Sequence, residues 1–203
     1  MERIMIDLKL FKSIKSKHGS YASWAVWAAP SGKPKSNMSD LTVMGVDSNP
    51  GLLEMLKSGV IMVGLNFSRS ERNHAPFGNF HDPSPHANDF KIRYAFQGTE
   101  YYGAYMTDVI KNHVMLDSKD VLKHLKANPS VVKEHIEWFR RELRDLECHA
   151  PLLLAFGADA YRLLHENLEK SEYASLVKLT HYSHQIGKEK YRAEVLRQIA
   201  GAG

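Results

Sequence analysis

Four apolar runs divide the chain, each stopping abruptly at a glycine or a polar turn. The first, residues 59–68 (GVIMVGLNFS), carries Val60, Ile61, Met62 and Val63 without a polar break, ends at Gly64 and passes to Asn66, Ser68 and Arg69. An unbroken run of β-branched and apolar residues predicts a strand covered on both faces, as in a parallel sheet. Tyr105 to Lys111 (YMTDVIK), Pro151 to Gly157 (PLLLAFG) and Tyr173 to Thr180 repeat the pattern, with Asp108 an unusual resident of a buried position. Helical periodicity fills the intervals. Residues 7–28 predict two short helices or one kinked helix. Pro50 introduces a short helix from Gly51 to Lys57, and further helices are expected at Phe90 to Phe96, around Val121, Leu122 and Leu125, and from Asp159 to Leu168. The clearest follows Asn128 and Pro129, where Val132, Ile136, Phe139, Leu143 and Leu146 recur at helical spacing while Lys133, Glu134, Arg140, Arg141 and Asp145 take the other faces. A basic helix closes the chain. Strands alternating with helices predict an α/β fold, a three-layer α/β/α arrangement around a small, mainly parallel four-stranded sheet.

Two stretches lack any periodicity. Pro30 to Asn37 is a loop by composition, and Arg69 to Gln97 begins with a turn-rich segment in which Phe77, Phe80, His74, His81 and His86 sit among Pro76, Gly78, Pro83 and Pro85. A long loop carrying aromatics inside a compact domain is expected to be functional.

At 203 residues and 43% hydrophobic composition, one domain spanning 1–203 is expected, with residues 1–50 a helical region and loop packed on it. The formal net charge of +4 favours a polyanionic partner only slightly. Cys148, the single cysteine, excludes an internal disulfide and any Cys-built zinc or iron–sulfur site from this chain alone. The amino terminus is interrupted by charges, and no stretch approaches the ~20 apolar residues of a membrane helix, so a soluble cytoplasmic protein with no membrane partner is expected. The pattern is silent on oligomeric state, and a monomer is the default expectation.

In an open α/β sheet ligands bind beyond the carboxyl ends of the strands. That places Asn66, Asp108 and the loop from His181 to Ile186 on one rim, with Phe77 and Phe80 able to fold over it. An amide, a carboxylate, an imidazole and aromatic faces suit a flat heterocycle. His81, Asp82, His86 and Asp89 match no zinc-site spacing, so no metal and no cofactor are expected.

GLNFS, Gly64 to Ser68, resembles the first motif of the uracil-DNA glycosylase superfamily. HYSHQI, His181 to Ile186, resembles the second. YMTDVIK and PLLLAFGADAY are similar to the superfamily's second and third strands, so the resemblance runs from about Val60 to Arg197 in order. It implies a uracil-DNA glycosylase-like fold and excision of a flipped uracil-like or mismatched base from double- or single-stranded DNA. Asn66 would hold the attacking water, and His181 would donate to the base oxygen as negative charge grows on it. Because an amide cannot accept the water's proton, the mismatch-specific and single-strand-selective branches, with Asn in the first motif, are closest. The resemblance places Gly64, Leu65, Ser68, Phe77, Phe80, Asp108 and Ser183 around the base. It puts Gln185 or Ile186 in the gap left by the base, and Lys188, Lys190 and Arg192 toward phosphates. Asp108 departs from the superfamily's usual Asn; an ionised carboxylate only accepts hydrogen bonds, which suits an amino-bearing base better than uracil. Two rival readings remain: a nucleic-acid or nucleobase-binding module without hydrolysis, and an enzyme of a small nucleotide-like metabolite.

Overall fold

The computed structural model describes residues 6–66, 75–111 and 118–202. Helix α1, Leu8–His18, starts where the Asp7 side chain accepts the Leu10 N–H at 2.7 Å, a capping bond that satisfies one of the orphan donors of the first turn. Its Phe11 and Ile14 turn inward. The chain then departs from the helical expectation for residues 7–28: Ser23–Trp24 forms a short strand, β1. A turn at Gly19 ends the helix, and Trp24, paired with Tyr105 across the β-ladder, packs edge-on against its ring at 4.9 Å.

A four-residue helix, α2 (Leu52–Met55), leads into β2 (Lys57–Asn66). There follow α3 (Asp89–Phe96), β3 (Ala104–Ile110), α4 (Ser118–Ala127), α5 (Pro129–Asp145), β4 (Leu152–Phe156), α6 (Ala158–Asn167), β5 (Ser175–Leu179) and α7 (Lys188–Ala200). The sheet has five strands in the order β1-β3-β2-β4-β5. β2 to β5 are mutually parallel and β1 runs antiparallel on β3, so the sheet is mixed rather than the four-stranded one expected.

Side chains alternate across this sheet. Ile61, Val63, Tyr105, Val109, Leu153 and Ala155 join one core with α1, α4, α5 and α6; Met62, Met106, Leu154, Phe156, Val177 and Leu179 join another with α3 and α7. Helices therefore bury both faces, which is why the strands read as continuous apolar runs. The 28–36 loop is fastened by polar bonds: the buried Arg93 guanidinium donates to the carbonyls of Ala28, Ser36 and Pro34 at 2.8, 2.9 and 2.6 Å. Behind β3, Lys111 and Glu142 form a buried ion pair at 2.8 Å, and Tyr105 and Thr107 also donate to the Glu142 carboxylate. Among the described residues no helix is long and apolar enough to cross a membrane.

Candidate functional site

Taken in chain order, the four parallel strands are arranged 2-1-3-4. In such a sheet the connections diverge between the first and third strands, here β2 and β4, and the carboxyl edge at that switch point is left open as a crevice. Asn66 is the last residue of β2, and Gly157 follows β4.

A cavity of about 350 Å³ lies there, lined by Leu65, Asn66, Asp108, Phe156, Gly157, His181 and Tyr182 among others. A second lobe of about 230 Å³ shares Asn66, Asp108, His181, Tyr182 and Ser183 and extends to Asn79, Phe80, Asp82 and His86. The structure thus brings Asn66 and His181, 115 positions apart in sequence, to one crevice.

His181 opens the turn after β5. Its Nδ1 accepts the Ser183 N–H at 3.1 Å and lies 2.8 Å from the Ser183 hydroxyl. An N–H can only be accepted by a bare ring nitrogen, so the neutral ring carries its proton on Nε2. Burial holds the imidazole below its usual pKa, which keeps that neutral form at and above neutrality. The ring stacks on Tyr182 at 4.3 Å, and Tyr182 meets Phe156 edge-on at 5.4 Å and Phe80 at 6.5 Å. Gly157 makes room: its φ of +90° suits glycine, and a Cβ there would touch the His181 ring at 3.4 Å.

Asp108 is only 3% exposed yet lines both lobes. Asn79 donates to its Oδ2 at 2.8 Å. Burial, with smaller contributions from Glu142 and Asp89, pushes the carboxyl up to about 7 against the opposing pull of the Asn79 bond and Lys111. Gly64 stands opposite Asp108 in the β2–β3 register, and a Cβ on it would fall 2.2 Å from Asp108 Oδ1 and 3.4 Å from Phe80. Gly64→Ala is therefore expected to displace the carboxyl and lower stability by about 1–3 kcal/mol through overpacking. A denaturant titration checks it; an unchanged midpoint would show that the carboxyl has room to move.

The two loop phenylalanines part company. Phe80 forms one wall of the smaller lobe. Phe77 belongs to the core, fully buried against Phe11 at 5.5 Å and Trp24 at 6.5 Å, which corrects its expected place over the base. Both take positive φ, +69° and +62°, and the turn that this makes aims Asn79 between them at Asp108. Anchors to the turn explain its persistence: Ser23 Oγ donates to the Phe77 carbonyl at 2.7 Å and Trp27 Nε1 to the Phe80 carbonyl at 3.2 Å.

The expected phosphate contacts are also revised. Arg192 is committed to the end of α3, its guanidinium donating to the carbonyls of Tyr94, Ala95 and Gln97 at 2.7, 2.7 and 3.0 Å. Lys188 lies over the Tyr94 ring and pairs with Glu189, whereas Lys190 is exposed. Ile186 packs half-buried on the core, leaving the exposed Gln185 at the tip of the turn. Ser68 lies outside the described residues. Leu65 and Ser183 are on the crevice wall. His81 faces the carbonyls of Asn79 and Val26, and among the described residues no group of three or more His, Cys, Asp or Glu could hold a metal ion.

Tyr182 and Asn79 join the site without having been singled out in the sequence. Tyr182 had a signal, an aromatic beside the motif histidine. Asn79 had none, since its role depends on a bond to a residue 29 positions away. Fold and site together define an α/β protein with a ligand crevice at a topological switch point. No protein-family model matches the chain, and no curated protein matches it in sequence.

Proposed function

We propose that the protein is a uracil-DNA glycosylase-like enzyme that hydrolyses the N-glycosidic bond of a base flipped out of DNA. The observation that carries this reading is the shared crevice, in which a carboxamide and a neutral imidazole line the same space. The segments that resemble the superfamily support it as well: Gly64, Leu65 and Asn66 end β2, and the others fall on β3, on β4 with the start of α6, and on the turn after β5.

In this reading the base enters the crevice lined by Asn66, Asp108 and His181, with the edge-to-face pair Phe80 and Tyr182 as its apolar wall. His181 Nε2–H donates to the base oxygen, and the donation strengthens as the bond breaks and the base departs as an anion. The Asn66 amide orients water toward the anomeric carbon but takes no proton from it. Lys190 and the exposed turn at Gln185 face the nucleic acid, while Arg192 holds α7 to α3 and contributes only by positioning that helix.

Labelled oligonucleotides containing uracil, hypoxanthine or mismatched thymine, single-stranded and duplex, test the reading. Release of free base that disappears in Asn66→Ala is expected. Duplex binding that weakens with salt but releases no base from any substrate would favour the binding module, because phosphate contacts displace counterions whether or not a bond is cut.

A further inference from the structure

We propose that a groove between α4, α5 and α6, separate from the crevice, is a docking site for an acidic amphipathic helix of a partner protein. The groove encloses about 740 Å³. None of its lining residues lines either lobe of the crevice. The inference therefore goes beyond the hydrolytic reading and stands whether or not that reading holds.

Its floor is apolar. α4 ends at Ala127 and α5 begins at Pro129, so Asn128 alone joins them. On α4, Val121 and Leu125 are buried while Leu122 is left half-buried; Val132 on α5 is half-buried too, and Leu163 on α6 is buried. Leu122, Leu125, Val132 and Leu163 all face the groove.

Its rim is cationic. Lys123, Lys126, Lys133 and Arg162 line the groove and are exposed, against a single acid, Glu166. Arg162 is engaged by Asp159 at 3.1 Å, whereas Lys123, Lys126 and Lys133 make no ion pair among the described residues. Arg140, on the same α5 helix as Lys133, shows the contrast, since Glu137 and Glu172 take up its charge.

Floor and rim together select the occupant. An amphipathic helix lays a stripe of apolar anchors into a groove of this kind, and carboxylates flanking the stripe complement free ammonium groups at the rim. Single-stranded nucleic acid would answer to the charge but not to the floor. Such strands bind by stacking bases on aromatic side chains, and no aromatic residue lines this groove.

The probe is a fluorescein-labelled peptide of about 14 residues, with leucine at i, i+4, i+7 and i+11 and glutamate on the flanks of that stripe. Titrated with the full chain, it is expected to bind saturably by fluorescence anisotropy and to shift the methyl NMR signals of Leu122, Leu125, Val132 and Leu163. A variant combining Lys123→Glu, Lys126→Glu and Lys133→Glu changes exposed positions only and leaves the floor intact. It should keep the parent circular dichroism spectrum and bind the peptide about 10- to 100-fold more weakly. Raising salt from about 50 to about 300 mM should weaken the parent protein's binding, because exposed charges are screened. A shuffled peptide of the same composition, without the stripe, should bind about tenfold more weakly or less.

No saturable binding at about 1 mM peptide, unchanged affinity in the triple variant, or equal binding of the shuffled peptide would overturn the inference. Tighter binding of oligothymidylate at the same methyl groups would also overturn it and assign the groove to nucleic acid. A parent protein that sediments as a dimer while the triple variant is a monomer would overturn it in favour of a second copy of the chain.

Discussion

His181→Ala is expected to slow single-turnover base release ~100- to 1,000-fold, the loss associated with removing one preorganised donor to a developing oxyanion. The expectation follows from geometry at the turn after β5. Ser183 N–H holds Nδ1, burial keeps the ring neutral, and the remaining proton on Nε2 is the donor. Because the ring lies over Gly157 and stacks on Tyr182 without entering the deeper core, the alanine variant should fold normally. Rates measured with DNA in saturating enzyme separate chemistry from binding, and the loss should appear in the rate and not in the affinity. His181→Gln, which restores a side-chain N–H, should recover part of the rate. Equal rates in all three proteins would mean that the imidazole plays no part in bond cleavage.

Glu142→Ala is expected to cost about 3–5 kcal/mol of stability, the usual penalty for leaving one member of a buried ion pair alone. Lys111 and Glu142 are 1% and 0% exposed, and the Glu142 carboxylate also accepts from Tyr105 at 2.6 Å and Thr107 at 3.2 Å. Removing it strands a cation and two donors at once. Thermal unfolding by circular dichroism should shift down by roughly 6–20 °C for a chain of this size. Replacing both partners with apolar residues, Lys111→Met with Glu142→Leu, should recover most of the loss, since the penalty lies in the unpaired charge. The pair matters to the site because the Lys111 ammonium also donates to the Asp108 carbonyl at 2.8 Å, tying the end of β3 in place. A single variant as stable as the parent protein would mean that water reaches Lys111.

Some of this was legible in the chain and some was not. Long apolar runs gave β2 through β5 to within about two residues, because helices cover both sheet faces and most strand positions are apolar, with Thr107, Asp108 and the exposed Lys178 among the exceptions. α5 was legible for the complementary reason: it buries one stripe, His135, Ile136, Phe139, Glu142 and Leu143, and turns charged residues such as Lys133, Glu134 and Arg141 to solvent. β1 was not, since two residues carry no period and their conformation is imposed by pairing with β3. Phe77 and Phe80 look alike in sequence. Both are buried, Phe77 in the core on the α1 side of the sheet and Phe80 in the core on the α3 and α7 side, where it also walls the smaller lobe, and nothing local announces a left-handed phenylalanine. Arg192 and Lys190 likewise read as two basic residues of one helix, yet only a three-dimensional neighbour, the end of α3, distinguishes a capping guanidinium from an exposed ammonium. Asp108 was noticed as out of place in a strand, but Asn79, which donates to its carboxyl, came to light only through the fold.

The account stands on Asn66 and His181 acting on one ligand from opposite strands. Nitrogen-15 NMR of the Asn66 side-chain amide and of His181 Nε2, followed while an abasic oligonucleotide and free base are added, tests that most directly. Both signals should shift together with a single dissociation constant, and both shifts should vanish when the base is withheld. Movement of one signal without the other, or of neither at saturating oligonucleotide and base, would contradict it.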